Sequence, residues 1–160
     1  MIKHIKCDIF ESGADIICHQ VNCQGIMGSG VAKQVRDRYP QVYEEYKEWC
    51  NDFSPDFLIG TVQYVGIYDN NLTGIINVFG QINYGYDGKC YTDYDALKKA
   101  FNNIHRTITK TNFFSFKPII AFPYKFGCAR GGGDWNIVYK MIKEIFEEDI
   151  DVLICEYDGG

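Results

Sequence analysis

Twice along this chain, an apolar run of strand character empties into a glycine-rich loop that opens a segment with helical spacing. The first run, residues 15–21, leads into Asn22-Cys23-Gln24-Gly25-Ile26-Met27-Gly28-Ser29-Gly30, and residues 31–38 follow with helical periodicity. The second, residues 117–122, ends at Pro123 and feeds Gly127-Cys128-Ala129-Arg130-Gly131-Gly132-Gly133, after which Asp134 or its neighbour caps a helix through residue 147. In an α/β sheet such loops stand at the carboxyl ends of the strands, where ligands bind. Glycine lets the backbone take positive φ and come close to a ligand. Free N–H groups and the helix dipole then favour phosphate, and two such loops can grip a diphosphate from opposite sides.

The rest of the chain supplies the sheet around these junctions. Residues 2–7 read as a first strand. Pro40 stops the helix over 31–38 and starts another over 42–50, because its ring blocks helix continuation but suits a first turn. Residues 51–56 read as a turn-rich connection. Two β-rich runs, 58–67 and 74–79, flank Asp69-Asn70-Asn71 and suggest a hairpin. Residues 80–89 form a loop rich in glycine and tyrosine. Thr92, with Asp95 three residues on, reads as the cap of a helix reaching residue 109, and 152–157 as a last strand. Strands alternate with helices and no linker or repeat intervenes, so the expectation is one α/β domain over residues 1–160 with a parallel or mixed sheet.

Charge and cysteine usage narrow the function classes. A net charge of −5 argues against broad nucleic-acid binding, though not against a small anion held by backbone amides. No basic stretch followed by an apolar run opens the chain, and no apolar run approaches the ~20 residues of a membrane span. The seven cysteines are scattered without a CxxC, which fits reduced thiols. A cytoplasmic monomer without membrane contact, metal or cofactor is expected.

Neither loop is a standard nucleotide fingerprint. The first is not GxGxxG, and no GxxxxGK[ST] occurs. The segment Ile17-Cys18-His19-Gln20-Val21-Asn22-Cys23-Gln24-Gly25-Ile26-Met27-Gly28-Ser29-Gly30-Val31-Ala32 instead resembles the first ligand loop of macro domains. The likeness continues through Arg38-Tyr39-Pro40 and residues 43–50, at Tyr91-Thr92-Asp93-Tyr94-Asp95-Ala96-Leu97, and from Phe122-Pro123-Tyr124-Lys125-Phe126-Gly127-Cys128 to Asp134-Trp135. It is strongest toward the branch holding yeast ADP-ribose 1″-phosphate phosphatase and the DNA- and glutamate-directed de-ADP-ribosylating macro domains. The resemblance implies a three-layer α/β/α fold with a central mixed sheet, and ADP-ribose or ADP-ribose 1″-phosphate as ligand. It also implies site roles. Asp8 would accept from the adenine amino group, with Ile9 alongside, and Asn22 would lie near the distal ribose. Gly28, Ser29, Gly30 and Val31 would line one side of the diphosphate. Gly127, Cys128, Ala129, Arg130 and Gly131 would line the other, with Phe79 and Gln81 flanking the distal ribose and the adenine-side wall.

Two residues stand out as catalytic candidates. His19, in the apolar second strand, is either a core histidine bonded to backbone or an acid, base or phosphate contact, as the resemblance implies. Asp134 is either a plain helix cap or a group that orients water or a ribose hydroxyl near the distal ribose. Lys89 and Lys125 are the basic residues nearest the loops. Cys128 reads as a small loop residue, since no histidine is evidently paired with it. Cys18, His19 and Cys23 do not make a metal site, because alternate strand residues face opposite ways. One departure matters: the glutamate- and DNA-directed hydrolases use a lysine near residues 78–82, and this chain has none there. It also has Gly131-Gly132-Gly133 where those hydrolases place an acidic residue earlier. By elimination, hydrolysis of ADP-ribose 1″-phosphate is the favoured expectation. A de-ADP-ribosylating hydrolase, a non-catalytic ADP-ribose-binding module and a generic nucleotide-binding α/β domain are the alternatives.

Overall fold

The computed structural model describes residues 1–157. Among them, six strands form one sheet: β1 (Ile2–Lys6), β2 (Ile16–Val21), β3 (Val62–Asp69), β4 (Leu72–Phe79), β5 (Ile120–Pro123) and β6 (Val152–Glu156). Their spatial order is β1-β6-β5-β2-β4-β3, parallel throughout except for the antiparallel β3–β4 hairpin. The hairpin turns at Asn70, whose φ of 56° suits an asparagine. β2, β4 and β5 are covered on both faces, which explains their near-continuous apolar runs.

Helices α1 (Gly30–Arg38) and α2 (Pro40–Asp52) cover one face, using Val35, Val42 and Tyr46, with the short α3 (Pro55–Leu58) beside them. Helices α4 (Tyr94–Lys110) and α5 (Trp135–Phe146) cover the other. There Phe101 meets Phe122, Phe126 and Phe146 at centroid distances of 5.5, 5.6 and 6.0 Å. These are the three layers, α/β/α, around a mixed sheet.

Topology then decides where a ligand can go. β2 and β5 are parallel neighbours, yet the chain leaves β2 toward α1 on one face and leaves β5 toward α5 on the other. Divergent exits from adjacent strands open a crevice at their carboxyl ends. Both glycine loops border it.

Some local expectations shift. The α4 cap is Asp93, not Thr92: the Asp93 carboxylate accepts the Ala96 N–H at 3.0 Å. Thr92 is drawn away because its hydroxyl donates to the Gly127 carbonyl at 2.7 Å. The connection expected over 51–56 is partly helical, since α2 runs to Asp52 and Ser54 caps α3. Accordingly β3 starts at Val62 rather than at residue 58. β5 starts at Ile120 rather than at residue 117, with the Ile119 carbonyl accepting the N–H groups of Asp15 and Ile16 at its entry.

Candidate functional site: a cleft between two glycine loops

The crevice encloses about 240 Å³. Its first wall is the loop after β2. Asn22 shapes that loop: its Oδ1 accepts the Gln24 N–H at 2.9 Å, its Nδ2 donates to the Ile26 carbonyl at 2.8 Å, and the Tyr46 hydroxyl sits 2.8 Å from Oδ1. The loop ends at Gly30, φ 59°, the first residue of α1. Ser29 occupies the cap position yet makes no side-chain cap bond, whereas Asp93 and Asp134 close α4 and α5. Lys33 is the first residue of α1 to bond back, to the Ser29 carbonyl at 3.2 Å. Among the described residues, the N–H groups of Gly30, Val31 and Ala32 therefore point out of the helix start unspent, at its positive dipole end.

The second wall runs from Pro123 to Gly131, with Lys125 at φ 60° and Gly127 at φ 73°. Thr92 stitches it in place. The Gly127 carbonyl accepts from the Thr92 hydroxyl and from the Gly133 N–H (3.0 Å), while the Gly131 carbonyl accepts the N–H groups of Tyr91 (2.7 Å) and Thr92 (3.0 Å). Within the described residues, the N–H groups of Gly127, Ala129, Arg130 and Gly131 make no backbone hydrogen bond. Side-chain-poor backbone is needed for this packing: a Cβ on Gly131 would lie 2.5 Å from both the Gly127 carbonyl oxygen and the Thr92 Oγ1.

The floor is the end of β2. Gln20 Nε2 donates to Gln81 Oε1 (2.6 Å) and Thr92 Oγ1 (2.9 Å), joining the middle loop to the second wall. His19, 1% exposed, has its Nε2 2.6 Å from Asn77 Oδ1. The bond thus goes to a side chain rather than to backbone. Burial pulls the imidazole down to about 4, against a smaller opposing effect of the Asn77 bond, so the ring is neutral at ordinary pH. Over the opening, the Arg130 guanidinium stacks 4.3 Å above the exposed Tyr86 ring.

Of the residues singled out from sequence, His19, Asn22, Gly28, Ser29, Gly30 and Val31 line the cleft from the first wall and floor. Gln81, Gly127, Ala129, Arg130 and Gly131 line it from the opposite side. The others lie outside that lining. Asp8 Oδ1 caps the 3-10 turn Ile9–Glu11 through the Phe10 N–H (3.0 Å), and its Oδ2 is 3.6 Å from Arg38. Ile9 is packed in the core, and Phe79 is buried against Trp49, ring to ring at 6.2 Å. Cys128 turns its thiol to the Phe126 carbonyl at 3.3 Å, and burial pushes it up to about 11, far from a nucleophilic thiolate. Asp134 caps α5, its Oδ1 accepting the Asn136 N–H at 2.9 Å. Lys125 lines the cleft, while Lys89 pairs loosely with Asp87 at 3.7 Å.

Sequence reasoning missed Gln20, Tyr84 and Tyr86 as cleft residues. Gln20 carried a signal, being a polar residue in an apolar strand. Among the described residues, no group of three or more His, Cys, Asp or Glu side chains converges as for a metal. No helix among them is long and apolar enough to cross a membrane.

Comparison with known proteins decides the family: the model described as Macro domain matches residues 18–142. The chain belongs to the macro domain family. Among relatives of this macro domain is a DNA ADP-ribosyl glycohydrolase of Mycobacterium tuberculosis, 27% identical over 167 aligned residues that take in 100% of this chain and 43% of the relative. This macro domain therefore spans less than half the length of that relative. An ADP-ribose 1″-phosphate phosphatase of Aspergillus oryzae is 40% identical over 62 residues, 36% of this chain and 30% of the relative. Such relatives are hydrolases of ADP-ribose derivatives. In fold, this macro domain is similar to the macrodomain of Mycobacterium tuberculosis DarG (TM-score 0.80, 24% identity, 97% of each chain). It is also similar to Thermosipho africanus DarTG, solved in complex with ADP-ribose (TM-score 0.79, 21% identity, 97% of this chain and 41% of that one).

Proposed function

We propose that this macro domain binds ADP-ribose in the cleft and hydrolyses ADP-ribose 1″-phosphate to ADP-ribose and phosphate. The observation that carries the reading is the pair of unspent amide sets facing each other across the crevice. Gly30 to Ala32 offer one, and Gly127 with Ala129 to Gly131 the other. A diphosphate between them satisfies both sets and meets the α1 dipole. Lys125 and Arg130 add positive charge in a chain of net charge −5. In this reading the distal ribose lies toward Asn22 and His19. Water attacks phosphorus, the bond from phosphorus to the 1″ oxygen breaks, and the water's proton passes to the neutral His19 and on to the departing oxygen. Asp134, outside the cleft lining, serves as a helix cap.

The Aspergillus oryzae relative supports the phosphatase, as does the lack of a lysine at residues 78–82. Similarity over the whole chain to the Mycobacterium tuberculosis relative supports a second reading, removal of ADP-ribose from DNA. Phosphate release from ADP-ribose 1″-phosphate, run beside ADP-ribose release from a modified oligonucleotide, separates the two. The expected result is phosphate release, with His19→Ala much slower yet still binding ADP-ribose. Turnover of the oligonucleotide alone would transfer the assignment, and binding without any turnover would make the chain a reader.

A further inference from the structure

Beneath α2, three polar side chains interrupt the apolar face of the sheet in a single row. Strand register sets His19 of β2 opposite Asn77 of β4, and Asn77 opposite Gln63 of β3. They are 1%, 0% and 2% exposed. His19 Nε2 is 2.6 Å from Asn77 Oδ1, Asn77 Nδ2 donates to Gln63 Oε1 at 3.0 Å, and Gln63 Nε2 donates to the Glu45 carbonyl of α2 at 3.1 Å.

The last contact sets the direction of all the others. A backbone carbonyl only accepts, so Gln63 must turn its NH₂ to Glu45 and its oxygen to Asn77. Asn77 must then turn its NH₂ to Gln63 and its oxygen to His19. That oxygen cannot donate, so the hydrogen belongs on Nε2. Reversing either amide sets oxygen against oxygen or NH₂ against NH₂ where water cannot repair the loss.

With Nε2 carrying the hydrogen and the ring neutral, Nδ1 keeps a lone pair. His19 Nδ1 and Gln20 Oε1 are the buried side-chain atoms that find no partner among the described residues. Both are acceptors on consecutive cleft residues. The crevice therefore has amide donors along its walls, while His19 and Gln20 at its floor carry buried acceptors with no protein partner among the described residues. Donors suit phosphate oxygens, and acceptors suit hydroxyl groups.

We propose that Asn77 is a positioning residue: locked by Gln63 and the Glu45 carbonyl, it holds His19 as the Nε2–H tautomer so that Nδ1 accepts an O–H at the distal-ribose end of the ligand. The inference rests on ADP-ribose occupying the cleft, and it names the atom that reads the ligand there.

NMR of ¹⁵N-histidine-labelled protein tests it. The expected spectrum of the free protein at neutral pH shows His19 with hydrogen on Nε2 and a bare Nδ1. ADP-ribose then moves the Nδ1 resonance and leaves Nε2 protonated. Gln63→Met, which touches neither His19 nor the ligand, frees Asn77 to rotate and gives mixed tautomers. Its kcat for phosphate release falls on the order of 10- to 100-fold, as when the outer partner of an oriented histidine is removed, with KM changed less than about twofold. Asn77→Leu removes the oxygen that faces Nε2 and loses the single tautomer. An Nδ1–H tautomer in the free protein overturns the proposal. So does an Nδ1 resonance unmoved by ADP-ribose that calorimetry shows to be bound, and that result leaves the proposed function standing. Absence of ADP-ribose binding overturns the proposed function itself and the ligand contact with it.

Discussion

Gly131→Ala puts the architecture of the second wall under direct test. The new Cβ would sit 2.5 Å from the Gly127 carbonyl oxygen, 2.5 Å from Thr92 Oγ1 and 2.9 Å from Gln20 Nε2. None of these atoms is the loose end of a flexible side chain, because Thr92 Oγ1 is bonded both to the Gly127 carbonyl and to Gln20. Relief requires residues 127–131 to move off residues 91–92, which strains the bonds from Tyr91 and Thr92 to the Gly131 carbonyl. Overpacking of this kind costs about 1–3 kcal/mol. At roughly 2–4 °C per kcal/mol for a chain of this size, Tm falls by on the order of 2–12 °C. Losing one amide from a phosphate oxygen costs about 1.5–3 kcal/mol, or roughly 10- to 150-fold in Kd for ADP-ribose. Differential scanning fluorimetry and calorimetry read both effects. Gly66→Ala is the control, since its added Cβ meets nothing within 4 Å. A Gly131→Ala protein with native Tm and ADP-ribose affinity within about twofold of native refutes the reasoning.

Further outcomes follow from the caps, the buried histidine and the cation at the mouth. Asp134→Ala loses the α5 cap and about 1 kcal/mol of stability, while Asp134→Asn, which still accepts the Asn136 N–H, keeps both stability and turnover. A fall in kcat for Asp134→Asn would return the residue to the chemistry. Ser29→Ala costs under about 0.5 kcal/mol by thermal denaturation, because that side chain makes no cap bond. His19 has a folded value near 4 against 6.5 in the unfolded chain, so above pH 6.5 both states are neutral and nothing is lost. Below that, the unfolded chain alone takes up the proton, and stability drops by on the order of 3 kcal/mol down to pH 4. Urea denaturation across this window shows the drop in the native protein and its absence in His19→Gln. Arg130→Ala removes the guanidinium over Tyr86 and weakens nucleotide binding by about 2- to 10-fold, more so at low salt.

Much of the fold was legible because the residues that build it act locally. The apolar runs of β2 and β5, Pro40 at the first turn of α2 and the asparagines between β3 and β4 each declare their element within a few residues. The cleft walls were legible for the same reason, each being a contiguous glycine loop. What escaped depends on partners distant in sequence. Thr92 and Asp93 are equally good caps by type, and only the Gly127 carbonyl, 35 residues away, draws Thr92 elsewhere. Phe79 ends β4 on the face that meets α2, and its ring is taken up against Trp49 instead of lining the cleft. The row from His19 to Gln63 exists only once β2, β4 and β3 pair. The single polar interruptions in Ile75-Ile76-Asn77-Val78 and Val62-Gln63-Tyr64 were its trace in the sequence.

A crystal structure of the chain with ADP-ribose tests the central claim most directly. The account predicts the diphosphate between the loops, its oxygens within hydrogen-bond distance of amides from Gly30–Ala32 on one side and from Gly127–Gly131 on the other. A nucleotide bound elsewhere, or one whose diphosphate is met by side chains alone with those amides untouched, would contradict it.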